Sequence, residues 1–335
     1  MISALVRFLL AVGMAAALAP AAMAQAKVKV RTHEYPGSIV HLNNWVMVAK
    51  GFCDKHGLIC EPVPLPSGPL AQSAAAAGSV DLIVSSADVM MQAVANGNDL
   101  MILGTQLTNN VYGMAVRTDL LQTGAKFPDN LKALKGKTIG VSARGSATEM
   151  YAKALLSEAG IAADQVSFVA VGVPATAYAA IAAKQVDAAL TWDPVPAICS
   201  ATKVCQMAVD MRKGEGPPAM LAMNGGFVVW QARREYVEKN SATIDAFLRA
   251  LAEATAWLKD PKNFPEALEI VKKNIKLGDL PEREKVFEAI TREGISQYGS
   301  TFDRKAIKGF NDFLIANKLI GKPLDPERIV YKNAP

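Results

Sequence analysis

The chain has 335 residues, 51% of them apolar and 20% charged, with 36 Lys and Arg against 31 Asp and Glu. That composition excludes a disordered or fibrous protein, and the length exceeds what one hydrophobic core usually organises, which predicts two lobes. A net charge of +5 without any run of five like charges lacks the basic stripe of a nucleic-acid binder.

Arg7 leads into the apolar stretch Phe8 to Leu18, followed by Pro20 and the small-x-small tripeptide Ala22-Met23-Ala24. This pattern predicts a signal peptide over residues 1–24, cleaved before Gln25, and a periplasmic mature chain. The run is short for a membrane span, and no Cys follows it to carry a lipid.

A strand pattern over Lys27–Arg31 comes next, then a turn at Tyr35–Ser38, a helical stretch from about Ile39 to Lys55 and a strand around Ile59 to Leu65. Pro66-Ser67-Gly68-Pro69 is a loop. An Ala-rich helix runs to Ala77, and Val80–Val84 is a short strand ending in Ser85-Ser86-Ala87-Asp88. The order recurs as strand Lys137–Val141, helix to Glu158, strand Val166–Val171 and Ala-rich helix Ala175–Ala183. It then closes with strand Val186–Leu190 and the loop Thr191-Trp192-Asp193-Pro194. Asp187 repeats Asp81 after 106 residues. Alternating strands and helices predict two α/β lobes with mainly parallel sheets. Tyr112–Val116 and Gly226–Trp230 read as strands that cross between the lobes. The remainder is helical, with apolar stripes at Ile244, Phe247, Leu248, Leu251 and Leu258, at Leu268, Val271 and Ile275, and at Ile307, Phe310, Phe313 and Leu314.

After export, four cysteines in two close pairs predict the disulfides Cys53–Cys60 and Cys199–Cys205. The three histidines, His33, His41 and His56, share no ligand spacing, so no metal site is expected. Gly136-Lys137-Thr138 imitates the tail of a phosphate loop, but residue 131 is Leu and the tripeptide precedes a strand. No G-x-G-x-x-G and no G-x-S-x-G occurs. No catalytic residue and no cofactor is expected.

The strongest local signal is Arg144-Gly145-Ser146-Ala147-Thr148-Glu149 between a strand and a helix. Ser146 and Glu149 have capping-box spacing, and a helix N terminus with Arg144 and two hydroxyls beside it can hold an anion. Glu149 weighs against that, since it can occupy the same position itself. Ser85–Asp88 and Thr191–Pro194 end equivalent strands and face the crevice at the carboxyl edge of the sheets, with Trp192 as one wall.

Leu134–Val141, Gly145–Thr148, Val186-Asp187-Ala188 and Thr191–Pro194, with Pro66–Pro69 and Gly78–Asp81, resemble the nitrate/sulfonate/taurine family of periplasmic solute-binding proteins. The resemblance covers most of the mature chain. It implies a type II two-lobed fold with two crossover strands, ligand in the interlobe cleft and delivery to an ABC transporter permease. It also implies ligand contacts at Ser38, Ser86, Asn109, Gly145, Ser146, Ala147, Thr148, Trp192, Asp193 and Asn224, to which the residues themselves add Arg144. The opening segment Thr32–Pro36 departs from the family's usual Gly-Tyr. Lobe I is expected over 25–109 and 227–335, and lobe II over 110–226. Hinges are expected near 109–114 and 223–228, where Asn110, Gly113, Gly225 and Gly226 stand. The expected activity is a monomeric, non-enzymatic receptor closing on a small organic anion, a sulfonate or a carboxylate. Two alternatives stand beside it: a desulfinase-like or cofactor-biosynthesis enzyme on the same fold, the former needing a free thiolate, and a receptor for a neutral pyrimidine-like ligand stacked on Trp192.

Overall fold

The structure, a computed structural model, describes residues 26–121, 124–299 and 301–335. The expected signal peptide lies outside the described residues. Among them ten strands form, five in each half of the fold. They are β1 (Val28–Glu34), β2 (Leu58–Pro64), β3 (Ile83–Ser86), β4 (Leu100–Leu107) and β5 (Gly113–Arg117). After these come β6 (Thr138–Val141), β7 (Ser167–Ala170), β8 (Ala188–Thr191), β9 (Cys205–Asp210) and β10 (Val228–Arg233).

The second sheet has the order β7-β6-β8-β5-β9. In the first, β2 pairs with β1, and β3-β10-β4 form a ladder. A parallel bridge from Thr32 to Leu82, with the His33 N–H donating to the Leu82 carbonyl at 2.8 Å, sets β1 beside β3. The two orders then match strand for strand, β2-β1-β3-β10-β4 against β7-β6-β8-β5-β9. In each, the strand that runs antiparallel to its neighbours, β10 or β5, comes from the other half of the chain. This is the periplasmic-binding-protein architecture with two crossings.

The repeated Val-Asp pair has a structural reason. Asp81 accepts from the Arg31 N–H and guanidinium at 2.6–3.0 Å, tying β3 to β1. Asp187 accepts from the Thr138 N–H and from Arg117, both at 3.0 Å, tying β8 to β6 and β5. Each aspartate therefore satisfies a strand N–H that the ladder leaves open, in mid-strand at Arg31 and at the strand start at Thr138. Both lie at the sheet edge away from the strands' carboxyl ends.

The helical stretch expected from Ile39 to Lys55 is broken. A 3-10 turn at Ile39–His41 leads into the helix Leu42–Ala49, and Gly51 at φ +69° ends it before a short turn at Phe52–Lys55. The chain crosses between sheets at 108–112 and again before β10. The crossings are tied together. The Asn110 N–H donates to Asn224 Oδ1 at 2.8 Å, and the Thr108 carbonyl accepts from the N–H groups of Gly225, Gly226 and Phe227. Gly225 sits at φ +112°, and a Cβ on Gly226 would meet the Phe302 ring at 2.4 Å. Glycine at these positions is thus a packing requirement as well as a backbone one.

All three C-terminal stripes face inward on the helices Ser241–Lys259, Phe264–Asn274 and Ala306–Ala316, with Leu248 and Leu268 half-buried and Ile275 just past its helix. A fourth long helix, Arg283–Gln297, falls in the stretch expected to be helical but carries none of the three stripes.

Both cysteine pairs are at bonding distance, Cys53–Cys60 at 2.07 Å and Cys199–Cys205 at 1.97 Å. They bracket loops of 7 and 6 residues' separation. Loop closure that short stabilises by roughly 2–3 kcal/mol or less per bridge. Replacing either pair by Ser should lower the urea midpoint without abolishing folding. Non-reducing peptide mapping that joined Cys53 to Cys199 would reject the pairing.

Candidate functional site

The loops at the carboxyl ends of strands from both sheets meet at one narrow cleft. From the first sheet come Tyr35 after β1, Gly68 and Pro69 after β2, and Ser86 and Val89 after β3. From the second come Ser142, Ser146 and Ala147 after β6 and Trp192 after β8, with Tyr112 entering from the first crossing. This is the edge where open α/β sheets bind ligands, because helix N termini and adaptable loops face it.

The walls touch. Trp192 Nε1 donates to Ser38 Oγ at 2.8 Å, and both residues are buried. Rings frame the space: Tyr35 and Tyr112 each stand 5.9 Å from Trp192, steeply inclined to it at 66° and 79°. Behind them Tyr112, Tyr151 and Phe313 form a chain of ring contacts at 5.6 and 5.3 Å toward the C-terminal helix Ala306–Ala316.

Beneath Ser86 lies Asp88, fully buried in the first turn of the helix Ala87–Ala95. Its Oδ1 accepts from the Val89 N–H at 2.8 Å, while Oδ2 makes no hydrogen bond. Burial pushes this carboxyl above its usual range. Burial first, and then the Asp88 charge, push the Tyr35 and Tyr151 hydroxyls up as well. The same holds for Tyr112, with Tyr35 ahead of Asp88 among the charges. Ser86 Oγ, Ser67 Oγ, Thr191 Oγ1 and both nitrogens of His41 are likewise buried without a partner. Each is in a cleft wall or next to a wall residue in the chain. Buried polar atoms without a protein partner are ordinarily met by water or by a ligand.

Of the residues expected to hold ligand, Ser86, Ser146, Ala147 and Trp192 line the cleft, and Ser38 meets Trp192 across it. Thr148 is buried beneath the turn. Its Oγ1 accepts from the Ser142 N–H at 2.8 Å and lies 2.7 Å from Ser146 Oγ, so it holds the turn shut. Gly145, at φ +74°, and Arg144 are exposed outside the cleft. Arg144 is 62% exposed and donates to Glu149 at 2.9 Å. The reciprocal capping box does not form, because Glu149 accepts instead from the Gly145 N–H at 2.7 Å and pairs with Lys153. Those partners, offsetting the opposing cost of its burial, hold Glu149 down at about 2.

Asn109 is exposed. Its neighbour Asn110 is buried, and Asn224 is engaged with the Asn110 backbone at the crossing. Asp193 is buried but turned away, paired with Arg212, whose other partners are Asp210 and Glu293. Tyr112 is the aromatic wall residue that sequence reasoning missed, along with Val89 and Ser142. Its only signal is an aromatic side chain immediately before a crossover strand.

Residues 38–263 match the family described as NMT1/THI5 like. A Brucella abortus protein named as a binding protein is 26% identical over 293 residues, covering 83% of this chain and 82% of that one. Among solved structures, one from Bordetella bronchiseptica RB50 superposes with a TM-score of 0.78 at 24% identity, covering 92% of this chain and 96% of that chain. The alkanesulfonate-binding protein SsuA from Xanthomonas axonopodis pv. citri, bound to MOPS, superposes with a TM-score of 0.68 at 18% identity over 91% and 98%. The desulfurization enzyme DSZB shares the fold at a TM-score of 0.60 and 15% identity, over 92% and 97%. The match spans more than half of the sequence, and the chain belongs to the NMT1/THI5-like family.

Proposed function

We propose that this protein is the ligand-binding component of an ABC-type import system, exported by its leader to the periplasm, and that it delivers a small molecule to a membrane permease. Lobe I comprises 25–109 with 227–335, lobe II comprises 110–226, and the lobes open and close about the tied crossings. One observation carries the reading: walls from two equivalent sheets enclose a single cleft and touch through Trp192 and Ser38. Small receptors of this architecture, SsuA among them by name, supply the precedent. The desulfinase-like alternative is weakened because all four cysteines are paired, leaving no thiolate to act as nucleophile. A sulfonate or carboxylate in this cleft would have to rely on the N–H groups at the starts of the helices Gly68–Ala76 and Ala147–Glu158 and on the hydroxyls of Ser86, Ser142 and Ser146.

Native mass spectrometry of protein purified from the periplasm tests the reading. The wild type should carry a small molecule at one per chain. Trp192→Ala should weaken its binding by about 2 kcal/mol or more, roughly 30-fold. Arg144→Ala, outside the cleft, should bind as the wild type does. Ligand should also shrink the radius of gyration in small-angle scattering. Chemical turnover of the bound compound, or scattering that never changes with any retained compound, would reject a closing receptor.

A further inference from the structure

Two of the three helix N termini at the cleft, those of Ala87–Ala95 and Ala147–Glu158, already carry a carboxylate of the protein's own, whereas that of Gly68–Ala76 has no acid in its first turn. Asp88 sits in the first turn of Ala87–Ala95, and Glu149 in that of Ala147–Glu158 accepts the Gly145 N–H. Two of the dipole ends that would attract an anion are therefore compensated internally, and Pro69 removes one N–H from the third. The cations nearby are engaged elsewhere: Arg144 and Lys153 by Glu149, and Arg212 by Asp193, Asp210 and Glu293. Among the described residues no Lys or Arg lines the cleft. An anion would leave water there without a cationic partner and close to a buried acid, the arrangement that desolvation penalises most.

We propose that the cleft takes an organic cation, a small molecule carrying an alkylammonium group, boxed by the rings of Tyr35, Tyr112 and Trp192 and opposed by the Asp88 carboxylate. The inference rests on the receptor reading above and names its ligand class. Tyr35 and Tyr112 each meet Trp192 edge to face in the cleft wall, and ring attraction for a cation is largest where the charge has lost its water. Asp88 lies fully buried two residues after Ser86 and next to Val89, both cleft residues; its Oδ2 accepts no hydrogen bond of ordinary length, and the Ser86 and Tyr151 hydroxyls are the donors that act on its carboxyl. Ser86 Oγ, buried in the wall and likewise without a hydrogen bond of ordinary length, is free to accept from an N–H or O–H of the ligand.

Calorimetric titration of the mature protein with tetramethylammonium and choline, against methanesulfonate and acetate, tests the assignment. The two ammonium probes should bind and quench tryptophan fluorescence, and the two anions should not. Asp88→Asn preserves the side-chain shape and the acceptor for the Val89 N–H, yet should weaken both ammonium probes about tenfold or more. If Asp88 serves only the dipole of its own helix, the variant will shift the melting temperature and leave probe affinity unchanged, which overturns the proposal. Failure of both ammonium probes to bind overturns it too. Binding of methanesulfonate or acetate that disappears in Trp192→Ala overturns the ligand class while leaving the receptor standing. The receptor reading itself falls on separate results: chemical turnover of the bound compound, or scattering that never changes with any retained compound.

Discussion

Arg212→Ala should remove about 3–5 kcal/mol of stability, because it strands two buried carboxylates at once. The Arg212 side chain is 6% exposed, and those of Asp193 and Asp210 are 3% exposed. Its guanidinium donates to Asp210 at 2.6 and 2.8 Å, to Asp193, and to Glu293 at 2.8 Å. Asp193 follows β8 and Asp210 ends β9, so the arginine is the centre of a charge cluster inside the second half of the fold. Glu293 belongs to the helix Arg283–Gln297, and Gln297 on the same helix donates to Asp193 at 3.3 Å. The cluster therefore reaches across to the C-terminal helices, close to where Trp192 meets Ser38. Glu293→Gln is the informative companion. Its carboxylate is 43% exposed, so its loss should change stability by under about 1 kcal/mol. Urea unfolding should show the midpoint of Arg212→Ala falling at constant slope. A loss below about 1 kcal/mol would mean that water reaches Asp193 and Asp210 and that the cluster is not sealed.

The same cluster shows where sequence reading stops. Asp193 was legible as a residue after a strand at the crevice, but its partner stands 19 residues later, and only folding brings the two together. The Val-Asp repeat was legible because each aspartate does a local job at equivalent strands. Trp192 was legible because loop position alone puts it at the carboxyl edge. Arg144 lies next to the expected site in sequence, yet the positive φ of Gly145 turns the chain so that the guanidinium faces solvent. At the first crossing one residue reverses the side: Asn109 is exposed and Asn110 is buried. The strand Leu100–Leu107 is buried along its whole length, so its sequence lacks the alternation that marks a half-buried strand. The helix Arg283–Gln297 buries Val286, Phe287 and Ile290 together with Thr291 and Gly294, so its inward face is part polar and part glycine and does not read as an apolar stripe.

Acidification from pH 6.5 to 4 should destabilise the protein steeply, and the wall of the cleft should give way first. His33 and His41 are both fully buried beside Tyr35, with ring centroids 4.4 and 5.6 Å from it. The nitrogens of His33 face the carbonyls of Val84 and Leu65 at 3.0 Å, so a charged ring could donate to both. Burial outweighs that gain and lowers His33 to about 4. His41 has no partner at either nitrogen, and burial, then the neighbouring His33, drive it well below its ordinary value. In the unfolded chain both rings take up a proton near pH 6.5. Between there and pH 4 the unfolded state holds more protons, so stability rises with pH and is lost on acidification. Each neutral ring contributes a slope of about 1.4 kcal/mol per pH unit, which for His33 amounts to about 3 kcal/mol across its window. Glu149 adds its loss only below about 4.5, toward 2, so it does not mimic the histidines. Asp88, raised by burial, works in the opposite direction, since its protonation relieves a buried charge. Urea midpoints measured from pH 7 to 4 should fall in the wild type and fall less in His41→Phe, which keeps a ring and removes the titration. A flat profile between pH 6.5 and 4 would mean that the two imidazoles reach solvent and that the ring wall around Tyr35 is open.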